Sequence, residues 1–140
     1  MEQVNKSWGY YEVIKHVTGS ADSFDSYKIK NLYINPGQSL SDQRHFKRAE
    51  TWIILEGGLE MKLSIDSNTV PLMEQQYLTE PEGEDQYSYY RPLARGAICH
   101  VNMGQWHQAT NNGDSVCYVM EIQRGIACEE DDIERRNVEE

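Results

Sequence analysis

Gly37-Gln38-Ser39-Leu40-Ser41-Asp42-Gln43-Arg44-His45-Phe46-Lys47-Arg48-Ala49-Glu50, closed by Gly57, is the stretch that decides the fold. It is answered downstream by Gly96, Asn102-Met103-Gly104, His107 and Asn111. Gln43 and His45 stand two apart, so on a strand both side chains face the same way. A turn through Phe46 to Ala49 then brings Glu50 back beside them on the next strand, while His107 has to arrive from a strand distant in sequence. An amide oxygen, two imidazoles and a carboxylate form a mixed nitrogen and oxygen donor set. Such a set suits Zn, Fe, Mn, Co or Ni and leaves positions for water or a substrate. The spacing does not choose among these metals. His16 and His100, outside the double motif, read as structural.

Strand signals dominate the rest of the chain. Leu59, Met61, Leu63 and Ile65 alternate with Glu60, Lys62, Ser64 and Asp66, which describes one buried and one wet face. Val116, Tyr118, Met120 and Ile122 repeat the pattern and are read as a second buried face. Further strands are expected at Tyr10 to Val17, Tyr27 to Ile34, Thr51 to Leu55, Ala97 to Val101 and Trp106 to Thr110. Turns are signalled at Asn35-Pro36-Gly37, Gly57-Gly58 and Asn111-Asn112-Gly113. No segment carries a sustained helical period. Many short strands divided by turns indicate an antiparallel sandwich or barrel.

One region breaks this rhythm. Thr79 to Pro92 is acidic and rich in tyrosine, and an extended loop is expected over about 66–93, acting as a lid, a dimer contact or solvated surface. Its little apolar area predicts that it moves. The charged tail 129–140 reads as a short helix or a disordered end with no assigned role.

Composition limits the partners. The 140 residues carry 13 Lys+Arg against 23 Asp+Glu, a formal net charge of -10, which repels nucleic acid and anionic lipid. An anionic substrate therefore needs a local basic pocket. A chain of this length buries roughly two thirds of its unfolded surface around one core. Its apolar runs are too short to span a bilayer, and Met1 to Trp8 lacks the hydrophobic run of a signal peptide, so a cytoplasmic location is expected. Cys99, Cys117 and Cys128 are odd in number and lack metal-type spacing, which suits reduced thiols.

The two glycine-bounded stretches resemble the paired signature of the cupin superfamily, with Gln43 where many members have a histidine and Asn102 where proline is usual. That resemblance implies an all-β, single-domain cupin over 1–140, an antiparallel jelly-roll β-barrel with its core at about 8–126. A narrower resemblance rests on several segments in order: Trp8-Gly9-Tyr10-Tyr11-Glu12-Val13, Tyr27-Lys28-Ile29-Lys30, Asn35-Pro36-Gly37-Gln38-Ser39-Leu40-Ser41, Arg48-Ala49-Glu50-Thr51-Trp52, Glu121-Ile122-Gln123-Arg124-Gly125 and Glu130-Asp131-Asp132-Ile133. Together they resemble the mannose-6-phosphate isomerase (type II) cupin domain of bifunctional mannose-1-phosphate guanylyltransferase/isomerases. The guanylyltransferase part has no counterpart in these residues, so isomerisation rather than guanylyl transfer is expected.

That family implies a Gln, His, Glu, His set for the metal, hence Gln43, His45, Glu50 and His107, with Zn foremost and Mn, Fe, Co or Ni as alternatives. It also implies a sugar phosphate as small-molecule substrate. Aldose-ketose isomerisation moves a proton between C2 and C1 and needs a base and an electrophile. Glu50, as a ligand, is a compromised base, so Lys47 and Arg124 are the candidates for catalysis. Arg44, Arg48, Arg91 and Arg95 are candidates for holding the phosphate, because guanidinium forks match phosphate oxygens. The chain departs from the family in His45-Phe46-Lys47-Arg48, which replaces a histidine-rich run, in Thr51 for a histidine, and in its ending after Ile133. Those departures bear on substrate specificity. A noncatalytic sugar- or anion-binding cupin and an iron-dependent oxygenase are the alternative functions, and a homodimer is left open.

Overall fold

The computed structural model describes residues 2–21, 23–66 and 86–136. Eleven strands run in chain order: β1 Gln3–Lys6, β2 Gly9–Val17, β3 Ser26–Ile34, β4 Asp42–Arg44, β5 Arg48–Glu56, β6 Gly58–Asp66, β7 Gln86–Ala94, β8 Ile98–Val101, β9 His107–Thr110, β10 Cys117–Gly125 and β11 Glu134–Arg136. They form a six-stranded sheet, β1-β2-β3-β10-β5-β8, and a five-stranded sheet, β11-β4-β9-β6-β7. The pairings are antiparallel, for example β10 with β3 and β5 and β6 with β7 and β9. This is the all-β jelly-roll architecture expected from the sequence. No helix among the described residues is long and apolar enough to cross a membrane.

The core sits between the sheets and is graded along the strands. Across β3, β10 and β5 the inner rows read Leu32, Val119, Ile54; then Lys30, Glu121, Trp52; then Lys28, Gln123, Glu50; then Ser26, Gly125, Arg48. The apolar rows join Ile34, Met61, Leu63 and Val101 in one buried cluster, and fully buried aliphatic and aromatic side chains of this kind each stabilise by about 1.5–3 kcal/mol. The polar rows are also buried. One end of the barrel is thus a hydrophobic plug and the other a desolvated polar chamber.

Two sequence expectations are overturned here. On β10 the buried face is Cys117, Val119, Glu121 and Gln123, while Tyr118, Met120 and Ile122 are only half-buried on the outside. The period of two was right and the face inverted, because the apolar side chains of this strand cover the outer surface and the polar ones enter the chamber. The second correction concerns the long loop. Residues 86–93 are strand, since β7 pairs β6 from Gly58↔Ala94 to Asp66↔Gln86. Tyr87 and Tyr89, separated by one residue, take alternating ladder positions, which aromatic residues favour. The remainder of that expected loop, 67–85, lies outside the described residues.

The end of β10 is fitted against the turn between β4 and β5. A Cβ on Gly125 would meet the Lys47 carbonyl oxygen at 2.0 Å and the Arg48 Cα at 2.7 Å. Gly125→Ala is therefore predicted to cost about 1–3 kcal/mol in denaturant or thermal unfolding, as overpacking does. Glycine is needed here for close approach and not for its dihedral freedom.

Candidate functional site

Four strands deliver the chemistry. Glu50 projects from β5 and is 3% exposed. His107, at the start of β9, pairs in register with Leu63 of β6 and Gln43 of β4, and Gln43 pairs in turn with Arg135 of β11. His45 stands in the turn immediately after β4 and is also buried.

The imidazoles are oriented from behind. His45 Nδ1 donates to the carbonyl of Asp132 at 2.7 Å and His107 Nδ1 to that of Gln105 at 3.1 Å, since a carbonyl can only accept. Both rings therefore turn Nε2 toward Glu50, at 3.3 Å from Oε2 for His45 and 3.3 Å from Oε1 for His107. Glu50 also accepts from Trp52 Nε1 at 3.0 Å and Arg48 Nε at 3.1 Å. Arg48 Nη2 lies 3.3 Å from the His45 Nε2.

Electrostatics follow from this packing. Burial pushes the Glu50 carboxyl up, but the hydrogen bond and charge of His107, then Arg48 and His45, outweigh it and hold the group well below the usual carboxylate range. Burial likewise disfavours a charged His107, yet Glu50 raises it above the ordinary imidazole value. His45 is lowered, by burial foremost, against the pull of Glu50.

These residues fit a cation. The ligand atoms of His45, Glu50 and His107 all lie within 4.8 Å of one another, and His107 Nε2 has no hydrogen-bond partner of good geometry. Ring nitrogens turned on carboxylate oxygens need positive charge between them, either a ring proton or a metal ion. Two imidazoles and one carboxylate form a donor set that could hold a divalent metal. Beside the triad opens a cavity of about 330 Å³, lined in part by Gln43, His45 and Arg48.

The family model described as "Mannose-6-phosphate isomerase C-terminal" matches residues 1–86. The chain belongs to this family. It is 32% identical over 133 residues to the "Alginate biosynthesis protein AlgA" of Pseudomonas putida, covering 95% of this chain and 21% of that one. It is 31% identical to the "Mannose-1-phosphate guanylyltransferase" of Escherichia coli, covering 95% of this chain and 22% of the relative. The chain thus spans about a fifth of these relatives' length. Among solved structures, the capsular polysaccharide assembling protein CapF of Staphylococcus aureus superposes with a TM-score of 0.67 at 11% identity, over 98% of this chain and 32% of that one. That likeness concerns the cupin fold alone.

Within this member of the mannose-6-phosphate isomerase C-terminal family, the residues expected to act divide sharply. Gln43 shares an inner row with His107 and lines the cavity, its Oε1 accepting from Ser41 Oγ at 3.4 Å. Of the four candidate phosphate arginines, only Arg48 reaches the cavity. Arg44 is committed to Glu134 at 2.9 Å and stacks on Phe46 and Trp106. Arg91 donates to the Ile98 carbonyl at 3.2 Å, and Arg95 is exposed beyond β7. Lys47 is exposed, and Arg124 is exposed on β10, whose inward positions are its neighbours Gln123 and Gly125. Neither lines the cavity.

Sequence reasoning missed Tyr11, Lys30, Glu121, Gln123, Glu130 and Arg135, all of which line it. Long polar residues recurring at every second position of a strand, Lys28 and Lys30 or Glu121 and Gln123, were the available signal. The family departure at Thr51 falls outside the site, since its hydroxyl pairs with His100 Nδ1 at 2.9 Å on the exposed side.

The tail also proves structural. Asp132 offers its carbonyl to His45, and its carboxylate accepts from the backbone N–H of Phe46 at 3.1 Å and of Lys47 at 2.9 Å. Glu129 accepts from Arg48 Nη1 at 2.9 Å through its carbonyl, and β11 pairs with β4. Asp132→Ala removes the carboxylate that holds the His45 turn. It is predicted to weaken divalent-metal affinity about 10–100-fold by isothermal titration, the usual effect of losing a group that orients a ligand.

Proposed function

We propose that the chain is a metal-dependent sugar-phosphate isomerase of the mannose-6-phosphate type. One observation carries this reading. In a protein of net charge -10, the cavity beside the His45, Glu50, His107 group is lined by Lys6, Lys30, Arg48 and Arg135 against only Glu121 and Glu130. A basic chamber in an acidic molecule selects a small anion. Membership in the mannose-6-phosphate isomerase C-terminal family supports a sugar phosphate as that anion.

Gln43, His45, Glu50 and His107 would hold the metal, with Zn the first choice. When bound, a divalent ion supplies Lewis-acid charge near the sugar's carbonyl and hydroxyl oxygens. Arg48, fixed by Glu50 and the Glu129 carbonyl, directs a guanidinium at the same region and favours negative charge developing on oxygen. Glu50 is spent on the imidazoles, Arg48 and Trp52. We therefore assign proton movement between C1 and C2 to Glu121, a cavity carboxyl group that accepts from Gln123 Nε2 at 2.9 Å and that burial, then the charge of Glu50, pushes up to about 8, where a group can both give and take a proton.

The test is direct. Metal-loaded protein is expected to interconvert mannose 6-phosphate and fructose 6-phosphate and to exchange the C2 proton with solvent. Glu121→Gln, which can keep the Gln123 contact, is predicted to lower kcat by roughly 100-fold while leaving metal content unchanged. Absence of both turnover and proton exchange across a panel of aldose phosphates, with metal bound, contradicts the assignment.

A further inference from the structure

Two lysines of β3 enter the polar chamber and end on a single oxygen. Lys28 Nζ lies 3.4 Å from Glu130 Oε1, and Lys30 Nζ is hydrogen-bonded to the same atom. The lysine side chains are 7% and 6% exposed, whereas that of Glu130 is 53% exposed. Lys30 also lies 4.1 Å from the centroid of the Tyr11 ring, against the cavity wall. The acid belongs to neither sheet. It comes from the segment between β10 and β11, which approaches the Lys28 and Lys30 ammonium groups from outside.

Two desolvated ammonium groups need compensating charge; Glu121 faces Lys30 across the ladder while Lys28 faces the neutral Gln123, and the one Glu130 oxygen that both lysines share is a poor match for the two. A phosphate monoester brings about two negative charges and three terminal oxygens, enough to meet each ammonium separately. We propose that Lys28 and Lys30 form the seat for the phosphate of the ligand, and that Glu130 occupies that seat as an internal carboxylate which the phosphate displaces. Lys30 and Glu130 line the cavity that His45 and Arg48 also line, and Lys28 reaches the same Glu130 oxygen from the next row of β3, so a sugar phosphate anchored there extends its carbon chain toward the His45, Glu50, His107 group. This assignment rests on the proposed sugar-phosphate reading. It replaces the arginines Arg44, Arg91 and Arg95, whose side chains lie outside the cavity, as the phosphate-holding groups.

The proposal makes Glu130 a competitor of its own ligand, which an ordinary stabilising ion pair is not. Binding of inorganic phosphate to the metal-loaded full chain, measured by isothermal titration at low ionic strength, separates the two. Glu130→Gln is expected to tighten phosphate about tenfold, and Lys30→Met to weaken it at least tenfold. Lys28→Gln, in the Glu130→Gln background, is expected to reverse the gain, and serves if Lys30→Met fails to fold. Unchanged or weaker phosphate binding in Glu130→Gln overturns the proposal, as does wild-type affinity in a folded Lys30→Met protein. Because this measurement needs no turnover, a protein that binds phosphate as described but isomerises nothing loses the isomerase reading and keeps the seat. A protein that isomerises while failing this test loses only the seat.

Discussion

The buried carboxylate of Glu50 is the constraint on which the rest of the polar chamber depends. An ionised group at 3% exposure in a protein interior carries a desolvation penalty of several kcal/mol unless partners surround it. Here both oxygens are engaged, by the Trp52 indole and His107 on one side and by Arg48 and His45 on the other. Removing one partner of such a group typically costs about 3–5 kcal/mol, so the donors around it are held as a set. The apolar half of the barrel makes this tolerable. Leu32, Ile34, Ile54, Met61, Leu63 and Val119 supply the hydrophobic stabilisation, and the polar rows are carried on the same strands.

Precision at the His45, Glu50, His107 group comes from outside the two principal sheets' centres. The segment after β10 returns across the mouth, anchored by the Ile126 N–H to the Lys47 carbonyl at 2.9 Å and by the Ser26 hydroxyl to the Ile126 carbonyl at 3.0 Å. From there it offers the Glu129 carbonyl to Arg48, the Glu130 carboxylate to the lysines and the Asp132 carbonyl to His45. Every one of these contacts lies about 80 to 100 residues from its partner in sequence, which ties the site's geometry to completion of the whole fold. The Asp132 and Gln105 carbonyls, which can only accept and do not titrate, fix the Nδ1 proton on both rings and so leave Nε2 facing Glu50.

Much of this was legible in the residues. The spacing of Gln43, His45 and Glu50 correctly signalled strand, turn and strand, although His45 lies in the turn after β4 and not on the strand with Gln43, so its aim is set by the Asp132 carbonyl and not by a period of two. Strand pattern located β2, β3, β5, β6 and β10 to within a few residues. It failed where local pattern and tertiary role diverge. On β10 the apolar alternation marked the outer face, and the inward Glu121 and Gln123 read as solvent-facing because polarity alone cannot distinguish water from a polar chamber. Glu130, Asp132 and Glu134 read as an idle charged tail, since their value lies in partners far upstream. Arginines were favoured for the anion by chemistry. Burial of Lys28 and Lys30 depends on registry with β10, which no single strand reveals.

The metal centre is the claim from which the functional account follows. Elemental analysis of the purified chain, beside a folded His45→Ala, His107→Ala double variant, tests it most directly. One divalent metal ion per chain, lost in the double variant, is the predicted result. Metal content that is the same in both proteins would contradict it.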